Sequence, residues 1–68
     1  VAGRRVRLAR ERDGLSQVAF AARYALPLET VEALEEGRLL PDPALDAYLK
    51  AIERDPEGVR RSLDVGAR

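Results

Sequence analysis

Residues Ser16 to Gly37 read SQVAFAARYALPLETVEALEEG, and the fold of the chain turns on them. Val18, Phe20, Ala21, Tyr24 and Ala25 recur at helical spacing, which predicts a short helix with an apolar face. Ser16 stands where its hydroxyl accepts from an N–H that the first turn leaves unpaired. The turn falls at Ala25-Leu26-Pro27. Pro27 has no N–H to donate, so it ends this helix and opens the next. Val31 and Leu34 then repeat at i, i+3, and Gly37 supplies the stop. Two short helices joined by a tight turn assign no function by themselves, since such pairs also occur in bundles that bind nothing.

Working outward, Arg4 to about Asp13 reads as a preceding helix with Val6 and Ala9 inward, Leu8 at the edge and Gly14 at its end. Downstream, Leu39-Leu40-Pro41-Asp42-Pro43 is a connector whose two leucines either close the core or meet a partner. Asp42 caps a fourth helix with Pro43 at its first position, and Leu45, Leu49 and Ile52 form its core stripe with Tyr48 beside it. Asp55-Pro56 repeats the same device and starts a short fifth helix carrying Val59 and Leu63. Gly58 should weaken that helix by about 1 kcal/mol relative to alanine. Beyond Leu63 the apolar stripe stops, and a frayed end is expected. The expected class is all-α, one domain over residues 1–68, with the helix pair at 16–37 and a dimerisation tail over 43–65.

Sixty-eight residues bury only a modest core. The chain has no cysteine and no histidine, hence no disulfide, no thiolate metal site and no imidazole general base. Carboxylates are plentiful but sit on helix surfaces, without calcium-loop spacing. Ser16 is a cap, Ser62 lies near the tail and Lys50 is the only lysine, so no nucleophile–base set assembles. No enzyme activity, cofactor or metal is expected. No apolar run approaches the roughly 20 residues of a membrane span. A reduced, cytoplasmic setting is the default. Net charge is zero, but its distribution is uneven. Residues 1–24 hold six arginines against two acids, a net of +4, whereas residues 25–48 hold Arg38 against six acids, a net of −5.

Leu15-Ser16-Gln17, Phe20-Ala21, Thr30-Val31, Leu34-Glu35 and Gly37-Arg38 agree in residue type and spacing with the helix-turn-helix family of Cro and the phage repressors. The chain resembles that family, also called XRE-like, over roughly Arg5 to Leu63. The tail IERDPEGVRRSL is similar to the end of HigA-type antitoxins, a branch of it. The resemblance implies a five-helix, lambda-repressor-like fold that docks on duplex DNA. It implies that Arg10 and Glu35 form an internal ion pair tying the first helix to the end of the recognition helix. It places Gln17 at a phosphate, through its amide and nearby backbone N–H groups, and Leu28, Glu29 and Ala33 at the positions that face bases. Glu29 would accept from a cytosine amine, and Leu28 and Ala33 would pack on thymine methyls. Thr30 either bonds a phosphate or caps locally, and Arg38 is a phosphate clamp just past the helix. The arginines of the first helix are either a solvated face or further phosphate contacts.

Two binding readings stay open. In one, a homodimer joined through Tyr48, Val59, Leu63 and Val65 presents two recognition helices to successive major grooves of an operator, and autoregulates an operon that also encodes a toxin. In the other, the acidic second helix meets a protein, a toxin or another partner, and reads no DNA.

Overall fold

The computed structural model describes residues 2–66, with side chains over 3–64. Its elements are α1 (Ala2–Arg12), α2 (Gln17–Arg23), α3 (Leu28–Glu35), α4 (Pro43–Arg54) and α5 (Pro56–Gly66), with no strand among the described residues. The expected all-α, five-helix architecture is the observed one. Helix α3 packs on α1 and α2, α4 packs on α1, and α5 packs on α4.

The caps explain where helices begin. Ser16 Oγ accepts from the Ala19 N–H at 3.1 Å, and Asp42 Oδ1 accepts from the Leu45 N–H at 2.8 Å. Asp55 Oδ1 accepts from the Gly58 N–H at 3.0 Å at the start of α5. Here the expected penalty of Gly58 changes meaning: a Cβ at that position would overlap the capping Asp55 carboxylate. Glycine keeps the cap in place, offsetting its poor helix propensity.

Helix ends follow one device used three times. Leu15 N–H bonds to Arg10 C=O at 3.1 Å, Leu26 N–H to Ala21 C=O at 2.9 Å and Arg38 N–H to Ala33 C=O at 2.9 Å. In each, the residue before the donor has positive φ: Gly14 at 67°, Ala25 at 55° and Gly37 at 77°. This is the Schellman closure, which satisfies carbonyls that the last turn leaves open. The two glycines are legible in the sequence. Ala25 is not, and instead of joining the apolar face it occupies the left-handed position of the turn, where its Cβ is strained.

The core comprises Val6 and Ala9 of α1, Phe20, Ala21 and Tyr24 around α2, Val31 and Leu34 of α3, and Leu49 and Ile52 of α4. The Phe20 and Tyr24 rings lie 4.9 Å apart at a tilt of 57°, a favourable edge-inclined contact. Leu15, Leu26, Leu45, Tyr48 and Val59 close the periphery. The Tyr48 hydroxyl donates to the Tyr24 carbonyl, joining α4 to the end of α2. Two expectations need correction, and one pair of alternatives narrows. Val18 is 62% exposed, because two residues before Phe20 it falls on the opposite side of α2 from the buried face. Of the two alternatives for Leu39 and Leu40, closure of the core is excluded, because both remain accessible, Leu40 at 85%. Helix α5 continues past Leu63 to Gly66.

Gly3 is buried where α1 crosses the end of α3, and a Cβ there would overlap the Leu34 carbonyl oxygen. The close α1–α3 approach therefore requires glycine at that position.

Candidate nucleic-acid interface

Helix α3 is half sunk. Val31 and Leu34 are fully buried, while Leu28 and Glu29 are exposed and Thr30, Glu32 and Ala33 are partly so. Leu28, Glu29 and Ala33 thus come to one outward side of a helix whose other side is fixed in the core. Its first turn has Pro27 at the cap without a side-chain acceptor, and the Thr30 and Val31 N–H groups both turn to the Pro27 carbonyl at 3.0 and 3.2 Å.

What fixes the far end of α3 is a buried carboxylate. The Glu35 side chain is 1% exposed. Arg10 Nε donates to Glu35 Oε2 at 2.8 Å and Arg10 Nη2 to Oε1 at 3.0 Å, a forked pair between α1 and α3. Arg10 Nη1 also donates to the Leu15 carbonyl at 3.0 Å, tying the loop between α1 and α2 into the same knot. Arg7 Nε stands at 3.5 Å from Glu35 Oε1. Burial pushes the Glu35 carboxyl up, but the hydrogen bonds and charge of Arg10, with the Gln17 amide and Arg7 adding to them, hold it below the usual carboxylate range. The internal ion pair that the resemblance implied is present.

Gln17 lies in the first turn of α2, half-buried, beside Glu35 as well as beside the solvent that a phosphate would occupy. Arg38 is pinned by its backbone just past α3, but its side chain is not free: Nε donates to Glu36 Oε1 at 2.7 Å. The front arginines are also largely engaged. Arg5 reaches Asp46 at 3.0 Å and Glu53 at 2.7 Å on α4, and Arg12 reaches Asp13 at 3.5 Å. The basic front of the chain is folded onto its acidic middle, so the charge asymmetry of the sequence is largely cancelled within the molecule. Of the six arginines up to residue 24, Arg4 and Arg23 are exposed and have no carboxylate within 4.0 Å among the described residues. The sequence signal for them was weak, since nothing local distinguishes a paired arginine from a free one.

The chain is 44% identical to the chain in a crystal structure of an HTH XRE-family like protein from Agrobacterium tumefaciens. The two superpose with a TM-score of 0.82, and the match covers 87% of this chain and 95% of that one. The chain belongs to the XRE-like helix-turn-helix family. No family model matches the sequence, and no curated protein matches it. In this XRE-like chain the helix pair expected over 16–37 is α2 and α3, closed by the strained turn at Ala25.

Tyr48, Val59 and Leu63 lie together, lining an open groove between α4 and α5 with Ala51, Arg54 and Arg61. The hydroxyl of Tyr48 is committed inward, leaving its ring to the groove. The Val65 side chain lies outside the described residues. Among the described residues, no helix is long and apolar enough to cross a membrane.

Proposed function

We propose that this XRE-like protein binds duplex DNA as a small transcriptional regulator, with α3 in the major groove. The observation that carries the reading is the outward side of α3. Leu28, Glu29 and Ala33 are presented there on a helix that Val31, Leu34 and the Arg10–Glu35 knot hold rigid. A reading helix needs such fixed geometry, because base contacts discriminate only when their donors and acceptors are placed in advance. In this reading Glu29 accepts from a cytosine amine, Leu28 and Ala33 contact thymine methyls, and Gln17, Thr30 and Arg38 hold phosphates. The protein acts as a homodimer through Tyr48, Val59, Leu63 and Val65, spacing two α3 helices about 34 Å apart on a palindromic site. The similarity of residues 52–63 to HigA-type antitoxins extends the proposal to an autoregulating repressor with a toxin partner, working in the cytoplasm. Selection of bound duplexes from a random pool tests it: Glu29→Ala and Leu28→Ala should each shift the preferred site. Unchanged preferences in both variants remove α3 from the groove.

One observation favours a second reading. Glu29, Glu32 and Glu36 make the accessible side of α3 acidic, which suits a basic protein surface better than phosphate. Capture of a basic protein partner, weakened by Glu29→Gln and Glu32→Gln, with no retardation of duplex DNA at low salt, would favour that reading.

A further inference from the structure

Arg38 is the sole cation between residues 25 and 48, and it stands at the end of the proposed reading helix. Its backbone has no freedom there. The N–H is closed onto the Ala33 carbonyl at 2.9 Å, and Gly37 before it is locked at a φ of 77°. Only the side chain can choose a partner. It holds Glu36 Oε1 at 2.7 Å, in a pair where both side chains are more than half exposed. A carboxylate presents a guanidinium with the same kind of charged oxygen acceptor as a phosphate does. Glu36 is itself the cap residue of α3, its N–H bonded to the Glu32 carbonyl at 3.0 Å. The competing carboxylate thus starts from a fixed backbone position two residues before the clamp, and its exposed side chain reaches the guanidinium.

We infer that Glu36 is an internal phosphate mimic that occupies Arg38 in the free protein and sets its affinity for the DNA backbone. The inference rests on the DNA reading above and names a residue that regulates the same site. Binding then proceeds by exchange: Arg38 leaves Glu36 for a phosphate, and the carboxylate is released to water. An exposed pair is weak, so the exchange is reversible and tunes affinity without blocking binding. The effect is independent of base sequence, because a phosphate contact positions the protein without reading the site.

The experiment measures binding of the full chain to a mixed-sequence duplex of about 30 bp at about 50 mM salt by fluorescence anisotropy. It compares wild type, Glu36→Gln, Arg38→Gln and the double variant, whose folding is checked by circular dichroism. Glu36→Gln should bind about 3- to 5-fold tighter. Arg38→Gln should bind more weakly, with the log–log salt slope reduced by about 1. In the Arg38→Gln background, Glu36→Gln should change affinity by less than about twofold, since the residue it releases is gone. A full gain in that background shows general charge repulsion and overturns the inference, as does no gain in the single variant. If wild type binds and the gain is missing, the inference alone fails. If none of the four proteins binds, the DNA reading fails with it.

Discussion

Replacing Arg10 with methionine keeps the length of the apolar stem and removes the guanidinium from the α1–α3 knot. Three hydrogen bonds go with it: two to Glu35 at 2.8 and 3.0 Å, and one to the Leu15 carbonyl at 3.0 Å. The carboxylate left behind is 1% exposed, so water cannot take Arg10's place. Breaking a buried pair from one side costs about 3–5 kcal/mol. The lower figure, about 3 kcal/mol, applies because Arg7 at 3.5 Å and the Gln17 amide remain to hold the charge. A domain of this size has roughly 3–10 kcal/mol of stability in total, so the loss is a large share. Urea unfolding followed by far-UV circular dichroism should show a midpoint about 2–3 M lower, taking a slope of about 1 kcal/mol/M. The reverse variant, Glu35→Leu, should be milder, because the abandoned Arg10 side chain is 18% exposed and reaches water. The double variant should be more stable than Arg10→Met alone, since no unpaired charge stays buried. The pH dependence has a definite sign. Glu35 is held below its unfolded value of about 4.3, so its contribution is complete above that pH and disappears as the pH falls through the folded value. The gap between wild type and Arg10→Met should therefore narrow below about pH 4. A cost under about 1 kcal/mol, or an equal cost from the two single variants, would refute the reasoning.

Four other substitutions test the packing. Gly3→Ala forces a methyl against the Leu34 carbonyl, a backbone atom that cannot turn aside, and should destabilise by about 1–3 kcal/mol in the same urea assay. Ala25→Gly relieves a left-handed alanine in the turn between α2 and α3 and should raise stability by about 0.5–1 kcal/mol, although the added freedom of the unfolded chain offsets part of the gain. The Tyr24 hydroxyl is buried with no hydrogen-bond partner among the described residues, so Tyr24→Phe should be neutral or stabilising, with a thermal midpoint at or above wild type. By contrast, Tyr48→Phe leaves the Tyr24 carbonyl without its donor and should cost about 1 kcal/mol.

The difference between what the sequence discloses and what it conceals follows the range of each interaction. Ser16, Asp42 and Asp55 cap helices through N–H groups three residues away, and Gly14 and Gly37 end helices through the geometry of their own backbone. Such features are legible because every participant lies within one turn. The core stripe Leu45, Leu49 and Ile52 is legible for the same reason. Val18 is misleading only when the apolar residues of α2 are counted together. It stands two residues before Phe20, which at about 100° per residue places it on the far side of the helix, facing water. Ala25 conceals its left-handed backbone because alanine is the residue that least advertises it. Gly3 gives no local sign at all, since the Leu34 carbonyl it admits lies 31 residues away in the chain.

Charge is where range matters most for function. Read linearly, six arginines at the front suggest a phosphate-binding surface, and six acids in the middle suggest repulsion. Folding brings the two together. Arg7 and Arg10 go to Glu35, and Arg5 goes to Asp46 and Glu53, so part of each run is neutralised within the molecule. In the sequence only the family resemblance joins Arg10 to Glu35, because no rule of spacing connects residues 25 apart. The Arg5 pairs had no such guide. A helix that reads as too acidic for DNA in the sequence therefore has one of its four acids sunk in a structural knot and another bound to Arg38. Glu29 and Glu32 remain without a cation within 4.0 Å among the described residues. On the proposed DNA reading, contact with a duplex would depend on those two carboxylates and on the release of Arg38, more than on the net charge of the chain.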